Sequence, residues 1–224
     1  MSNRKTKIGV ARFWGTNCDY DVKKWVELAG YEADFLWFQD QFNINDYESI
    51  IIPGGFSYGD YLRCGALAAR SPVMKSVREF AEKGKPVLGI CNGFQILCEA
   101  GLLPGALVRN EKQKFQDRII DLEVKNISSY FFRTSANTGS TQIKLPIAHG
   151  EGRFYGSADD LKKIQDNNQV WMKYTGNVNG SLNEIAGVKS LKHNVFGLMP
   201  HPERALYSWM GSGDGFLFLP EVGA

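Results

Sequence analysis

The sequence has 224 residues, 43% of them hydrophobic, and its 26 Lys and Arg nearly balance its 24 Asp and Glu, which leaves a formal charge of +2. This globular composition excludes a disordered chain, and at roughly 150 residues per domain the length favours one domain over residues 1–224. A nearly neutral chain cannot neutralise several phosphates, so nucleic acid is not an expected partner.

No apolar run reaches the roughly 18 residues needed to cross a bilayer, and Ile8–Ala11 is too short for a signal-peptide core. The expected location is therefore the cytoplasm, where thiols stay reduced. Four cysteines, Cys18, Cys64, Cys91 and Cys98, form no C-x-x-C pair and no local cluster with histidine. Neither a disulfide framework nor a metal site is expected, and at least one cysteine is a candidate for reactivity.

Strand and helix patterns alternate in the first part of the chain. Strands are predicted at Lys7–Ala11 and at about 33–37, and apolar residues from Val22 to Ala29 recur at helical spacing between them. Ser49–Ile52 is a continuous β-branched run, typical of a strand buried on both faces of a parallel sheet. This alternation predicts βαβ units with right-handed crossovers.

A second helix is predicted after Ser71, which stands at the N-cap position before an N1 proline, and it ends at Gly84. The buried strand Pro86–Ile90 follows. The predicted fold class is therefore α/β, a doubly wound and mostly parallel sheet with helices on both sides.

The pattern changes after Gly101. Residues 121–124 and 141–145 alternate polar and apolar side chains, which predicts half-exposed antiparallel strands that extend the sheet. The stretch Asn177–Lys192 is rich in Asn, Gly and Ser and is predicted to form hairpin turns, and Val195–Met199 is predicted as another buried strand.

Residues Gly89–Gly93 match G-x-C-x-G, the cysteine form of the nucleophile elbow, a sharp turn between a strand and a helix. The glycines two before and two after Cys91 leave room for a strained backbone. The positive end of the following helix favours a thiolate, and the N–H of Asn92 is free to donate to an oxyanion. Cys91 is therefore the candidate nucleophile, and the alternative is a buried cysteine in a tight turn.

A cysteine nucleophile needs a base, and the chain offers three histidines, His149, His193 and His201. Prolines on both sides of His201 favour an extended chain, in which residues two apart face the same way, so Glu203 is predicted to face His201. Glu203 would then accept the Nδ1 proton and orient the ring. The alternative is a surface turn with an incidental ion pair. His193 is expected to be a solvated loop residue.

A glycine-rich loop, Pro53–Asp60, follows the third predicted strand and is expected at the same sheet edge as Cys91. The N–H of Gly55 is a candidate second oxyanion donor, although paired glycines after a strand are as often a plain turn. Neither phosphate-binding glycine fingerprint occurs, so no nucleotide is expected on this chain.

The remaining candidates have weaker support. The glycine loop His149–Arg153 could contact a substrate or a partner, and a solvated hairpin is equally consistent with its sequence. Cys98 is expected to pack as a small hydrophobic residue. Cys18 and Cys64 have no base nearby in sequence, so neither is expected to be the nucleophile.

Taken together, these motifs resemble class I glutamine amidotransferases, whose glutaminase domain carries a Cys elbow followed far downstream by His-x-Glu. Within that class they are most similar to the glutaminase subunits of phosphoribosylformylglycinamidine synthases. The matching segments are Thr16–Asp19, Pro53–Arg63, Gly89–Gln95, Ala148–Arg153 and Met199–Arg204. The chain departs from the usual pattern at 13–16 and 177–181, and the tail 208–224 does not align.

The resemblance implies a flavodoxin-like fold and a catalytic triad of Cys91, His201 and Glu203. It also implies a glutaminase that hydrolyses L-glutamine and delivers ammonia to a separate synthetase subunit, which makes formylglycinamidine ribonucleotide for purine biosynthesis. A small third subunit often joins the complex. No cofactor or metal is implied for this chain, because ATP and magnesium belong to the synthetase. The substrate-binding residues that it implies are Gly54, Gly55, Gln95, Arg63 and His149.

Two other interpretations stay open. The same elbow could serve a glutaminase of another pathway or an amidase with a different substrate, which the substrate pocket would distinguish. Alternatively, the chain could be a binding or regulatory subunit in which Cys91 is a redox sensor or a structural residue. The presence of His201 and Glu203 in the same chain argues against a sensor, which needs no His-x-Glu pair.

Overall fold

A computed structural model describes residues 6–125, 129–132 and 141–219. Residues 1–5 lie outside the described residues. So do residues 220–224, which end the tail that does not align. The strands are β1 (Lys7–Arg12), β2 (Glu32–Trp37), β3 (Ser49–Ile52), β4 (Val87–Ile90), β5 (Ala106–Val108), β6 (Gln116–Val124), β7 (Gln142–His149), β8 (Arg153–Tyr155), β9 (Val170–Tyr174), β10 (Ile185–Lys189) and β11 (Val195–Leu198). The α-helices are α1 (Asp19–Leu28), α2 (Pro72–Glu82), α3 (Asn92–Glu99) and α4 (Ala158–Asp166).

The predicted parallel half of the sheet is confirmed. Five strands pair in the order β2-β1-β3-β4-β11, and every pair among them is parallel. This is the flavodoxin-like strand order. The winding reverses direction between β1 and β3, so right-handed crossovers place α1 and α2 on opposite faces of the sheet.

The antiparallel extension is also confirmed. From β11 the sheet continues β10-β9-β6-β7 with antiparallel pairing throughout, and β5 and β8 form a separate two-stranded ribbon. The prediction of hairpin turns over Asn177–Lys192 was wrong in part, because this stretch contains the fully buried strand β10. Gly187 has no side chain to separate β10 from β11, and a Cβ there would lie 2.7 Å from the carbonyl oxygen of Gly197.

The helix ends follow the local signals with one exception. Gly30 and Gly84 follow α1 and α2 in left-handed conformation, with φ of 92° and 80°, as helix-terminating glycines do. Ser71 occupies the predicted position before α2, but its hydroxyl donates to the carbonyl of Ala68 at 2.7 Å and does not cap the helix. The missing cap bond leaves the N1 proline, Pro72, as the main start signal of α2.

The apolar core covers both faces of the parallel strands, since β3, β4 and β11 are buried along their whole length. Trp25 of α1, Phe80 of α2 and Phe94 of α3 are fully buried against them. Among the described residues, no helix combines the length and the apolar character that a membrane span would need.

Candidate active site

Four parallel strands end at one edge of the sheet, and each delivers a residue to the same place. Cys18 follows β1, Gly54 follows β3, Cys91 follows β4 and His201 follows β11. Because the sheet reverses its winding between β1 and β3, this edge contains the topological switch point at which such folds bind ligands. The convergence of these strand ends positions the candidate site.

Cys91 has the strained backbone that a nucleophile elbow requires. Its φ is 50° and its ψ is −106°, and it stands at the N-cap of α3. A Cβ on Gly89 would lie 2.6 Å from the carbonyl oxygen of Gly93, and a Cβ on Gly93 would collide with the carbonyl oxygen of Ile52. The turn can therefore form only with small residues at these two positions, and the first turn of α3 directs its free N–H groups and positive dipole end toward the sulfur.

His201 and Glu203 form a buried pair. The imidazole Nδ1 and the carboxylate Oε1 lie 2.7 Å apart, and both residues are 2% exposed. A carboxylate can only accept, so Nδ1 donates, which leaves Nε2 as the nitrogen that can gain or lose a proton. The two side chains face together as predicted, but the backbone is not extended: Pro202–Arg204 form a 3-10 turn, which brings Glu203 back beneath the ring.

The electrostatics of His201 favour the imidazolium. Burial by itself lowers its pKa, but the carboxylate of Glu203 and the negative charge of a Cys91 thiolate outweigh burial and raise the pKa well above the ordinary value. An imidazolium at this place can donate a proton from Nε2 to a bound molecule.

Cys18 lies beside this pair, which the sequence did not predict. Ligand atoms of Cys18, His201 and Glu203 lie within 4.8 Å of one another. The guanidinium of Arg204 also donates to the Cys18 sulfur, at 3.2 Å. No base lies near Cys18 in sequence, but His201 lies near it in space, because β1 and β11 carry distant parts of the chain to one edge. Burial nevertheless raises the pKa of its thiol.

Gly54 is packed against the side chains of Cys18, Cys91 and His201. A Cβ at this position would lie 2.7 Å from Cε1 of His201, 3.1 Å from the sulfur of Cys18 and 3.4 Å from Cβ of Cys91. Gly55 has a φ of 147°, and a Cβ there would lie 2.8 Å from the backbone nitrogen of Asn17. The paired glycines are therefore required by close packing at the site and are not a plain surface turn.

Hydrogen bonds tie the loops around Cys91 together. The amide oxygen of Asn92 accepts from the backbone N–H of Ser57 at 3.2 Å, and its amide nitrogen donates to Gln95 at 2.9 Å. The amide nitrogen of Gln95 in turn donates to the carbonyl of Glu151 at 2.6 Å. These contacts fix the glycine loop after β3 and the loop after β7 relative to the elbow, and they hold Gln95 as a positioning residue.

His149 ends β7 and is buried, so the solvated-hairpin alternative does not hold for it. The amide oxygen of Asn110 accepts from Nδ1 of His149 and from the N–H of Gly152, both at 3.1 Å. Burial, assisted by the positive charge of His201, lowers the pKa of His149 to about 4, so the ring is neutral near pH 7. Its Nε2 is buried and accepts no hydrogen bond from a described residue. No sequence signal indicated Asn110.

The carbonyl oxygen of Ala148, next to His149, lies 3.8 Å from the Cys91 sulfur. The end of β7 therefore forms one wall beside the Cys91 sulfur.

Arg63 is not brought to the triad. Its guanidinium is largely exposed and pairs with Glu99 at 2.6 Å. Glu99 ends α3, so it stands about 10 Å along the helix axis from Asn92 at 1.5 Å per residue. His193 is exposed, as predicted. Cys64 and Cys98 lie elsewhere, and burial raises the pKa of both thiols.

A groove of about 820 Å³ opens at the opposite edge of the sheet, where Val195 begins β11 and the chain leaves α2 at Glu82. None of the candidate site residues lines this groove. Size alone therefore does not identify the reactive site, because the chemically active side chains meet at the carboxyl edge.

Comparison with known proteins agrees with this arrangement. The family described as CobB/CobQ-like glutamine amidotransferase domain matches residues 5–213. The chain is similar to a chain in the structure of PurLQS from Thermotoga maritima, with 45% identity, 95% of this chain and 94% of that chain covered, and a TM-score of 0.85. A glutamine amidotransferase from Thermotoga maritima shares the fold at 15% identity, with 91% and 78% covered and a TM-score of 0.57.

Proposed function

Because this chain belongs to the CobB/CobQ-like glutamine amidotransferase family, we propose that it is the glutaminase subunit of a phosphoribosylformylglycinamidine synthase. The observation that carries the proposal is the buried His201–Glu203 pair, 2.7 Å apart, at the sheet edge where the Cys91 elbow ends β4. The similarity to PurLQS at 45% identity over 95% of the chain supports the assignment within the family.

The first half-reaction forms a thioester. The Cys91 thiolate attacks the side-chain amide carbon of glutamine, and the carbonyl oxygen becomes an oxyanion that the N–H groups of Gly55 and Asn92 stabilise. The imidazolium of His201 gives its proton to the amide nitrogen as the carbon–nitrogen bond breaks, and ammonia leaves. The carboxylate of Glu203 holds the ring throughout this step.

The second half-reaction releases glutamate. Neutral His201 takes a proton from water, which attacks the thioester carbon, and the carbon–sulfur bond breaks. The proton stays on the imidazole, so the thiolate–imidazolium pair is restored. Glutamate leaves, and the Cys91 thiolate is ready for another substrate molecule.

Substrate binding is assigned to the groups that surround the sulfur. Gly54 and Gly55 present backbone at close range, and Nε2 of His149 offers a buried lone pair beside the site. Gln95 shapes the wall through its bond to Glu151. Arg63 has less support, since it pairs with Glu99 at the far end of α3.

The ammonia serves a synthetase partner. Ammonia in bulk water near neutral pH becomes ammonium and is no longer a nucleophile, so the product must pass directly to the subunit that uses it. ATP and magnesium act on that synthetase and not on this chain, and a small third subunit completes the assembly. Glutamine turnover is expected to depend on docking.

The test is labelling with 6-diazo-5-oxo-norleucine, a glutamine-analogue electrophile, followed by peptide mass spectrometry, with the synthetase present and absent. Label on Cys91 that glutamine prevents, and that Cys91→Ala abolishes, would support the proposed nucleophile and substrate. His201→Ala is expected to slow labelling. Label on Cys18 or Cys64, or no label even with the synthetase, would overturn the triad and favour a binding subunit.

A second measurement separates this synthase from another pathway. The complex is supplied with formylglycinamide ribonucleotide, ATP and glutamine, and formation of the amidine is followed. Glutaminase activity that no addition of this substrate stimulates would contradict the assigned partner while it leaves the Cys91 chemistry intact.

A further inference from the structure

Two cysteines and one histidine meet at the end of the sheet, and the mechanism above uses only one of the thiols. We propose that Cys18, Cys91 and His201 form a binding site for a thiophilic divalent cation such as Zn²⁺, and that occupation of this site inhibits the glutaminase. The proposal concerns metal binding by these side chains and holds whatever amide is the substrate.

The positions of Cys18 and His201 support the site. Sulfur, imidazole and carboxylate atoms of Cys18, His201 and Glu203 lie within 4.8 Å of one another. Zinc bonds of about 2.3 Å to sulfur and about 2.0 Å to nitrogen place tetrahedral S and N ligands about 3.6 Å apart. A movement on the order of 1 Å therefore brings the Cys18 sulfur and the His201 nitrogen to zinc-binding separation.

Cys91 is the third side chain that packs against Gly54. A Cβ on Gly54 would lie 3.1 Å from the Cys18 sulfur, 3.4 Å from Cβ of Cys91 and 2.7 Å from Cε1 of His201. The three side chains therefore surround one point at which the chain carries only a hydrogen atom. Their common approach makes a shared ligand possible without a rearrangement of the backbone.

The second, independent observation is the state of His201. Its ring is 2% exposed, and Nε2 makes no hydrogen bond of ordinary length with a described residue. Glu203 already holds Nδ1, so Nε2 is the nitrogen from which a bound cation would displace the proton. A carboxylate behind a metal-binding imidazole is the arrangement that orients histidine ligands of zinc.

The ligand types and charges select the metal class. Cysteine sulfur and imidazole nitrogen suit zinc and similar soft cations, whereas magnesium and calcium prefer oxygen. Two thiolates would neutralise the two charges of the cation. Three protein ligands leave the fourth position to water.

The consequence for activity follows from shared atoms. A bound cation occupies the Cys91 sulfur and the His201 nitrogen, so neither can attack glutamine or transfer a proton. Metal and glutamine should therefore exclude each other. Removal of the metal by a chelator should restore the enzyme, because no covalent bond of the chain changes.

The experiment is a titration of the full chain, freed of metal by a chelator, with Co²⁺ as a spectroscopic probe and with Zn²⁺ in equilibrium dialysis. We expect one equivalent, a thiolate-to-cobalt charge-transfer band and the intense visible bands of tetrahedral Co²⁺. Loss of an outer carboxylate weakens zinc binding about 10- to 100-fold, so loss of a direct ligand in Cys18→Ser should weaken it more than about 100-fold. The matched control, Cys98→Ser, should bind like the wild type.

A second route covers the case in which Cys18→Ser does not fold. Alkylation of Cys91 in the folded wild-type chain leaves Cys18 and His201 in place, and it should weaken Co²⁺ binding more than about 100-fold, because one of the three ligands is lost. Equal affinity of the wild type and Cys18→Ser, a cobalt spectrum without thiolate character, or no binding at all would each overturn the proposal. These outcomes are independent of labelling by the glutamine analogue.

Discussion

The buried, neutral state of His149 makes the protein sensitive to mild acid in a measurable way. Its pKa is about 4 in the folded chain against an ordinary 6.5, and burial is the main cause. Because the folded value is the lower one, the unfolded chain binds more protons between these two values. The stabilising contribution is complete above pH 6.5 and is lost as the pH falls toward 4.

The magnitude follows from linkage. The whole shift corresponds to about 3 kcal/mol, and about 2 kcal/mol of it is lost between pH 7.5 and 5, above the range in which most carboxyl groups titrate. We therefore compare free energies of unfolding by urea at these two pH values for the wild type and His149→Gln. The variant loses the contact with Asn110 at both pH values, but its stability should fall by about 2 kcal/mol less.

Comparing the change in unfolding free energy between the two pH values separates the effect of titration from the effect of packing. His201 is present in both proteins, so its titration contributes to both pH dependences. The matched control is His193→Gln, which removes an exposed imidazole and should keep the wild-type pH dependence. An equal loss of stability in the wild type and His149→Gln would refute the conclusion that His149 is held neutral.

Three further predictions concern the site. Glu203→Gln should lower kcat of the glutaminase, assayed with the synthetase, by about 10²- to 10⁴-fold, because the ring loses its orienting acceptor; an unchanged kcat would exclude the triad. Gly54→Ala should lower kcat about 10²-fold by displacing the catalytic imidazole, whereas Gly213→Ala, whose Cβ meets its nearest atom at 3.9 Å, should not. Arg63→Ala removes an exposed pair with Glu99, so unfolding free energy should fall by less than about 1 kcal/mol and KM for glutamine should not change; a tenfold higher KM would show direct contact.

The parallel half of the fold was predictable because its signals are local and agree with one another. Ser49–Ile52 is apolar at each central position, which matches a strand with both faces covered. Gly30 and Gly84 mark helix ends within one residue or two of where the chain turns. Strand β10 was missed because it has no such local signal. Its five residues lie within a polar, glycine-rich stretch and are buried only by pairing with β9 and β11.

The site residues also differ in this respect: some are marked by a local sequence pattern, and others meet only because of the sheet order. The elbow at Cys91 needs small residues at fixed positions in one short segment, so it can be recognised in the sequence. The proximity of Glu203 to His201 is also local, because only one residue separates them and both belong to one turn. The approach of Cys18 depends on β1 and β11 lying in the same sheet with β3 and β4 between them, and no local pattern encodes that distance. The same sheet order that brings His201 to the edge where Cys91 lies therefore brings the Cys18 thiol close to that imidazole, and the proposed metal site would be a direct consequence of this order.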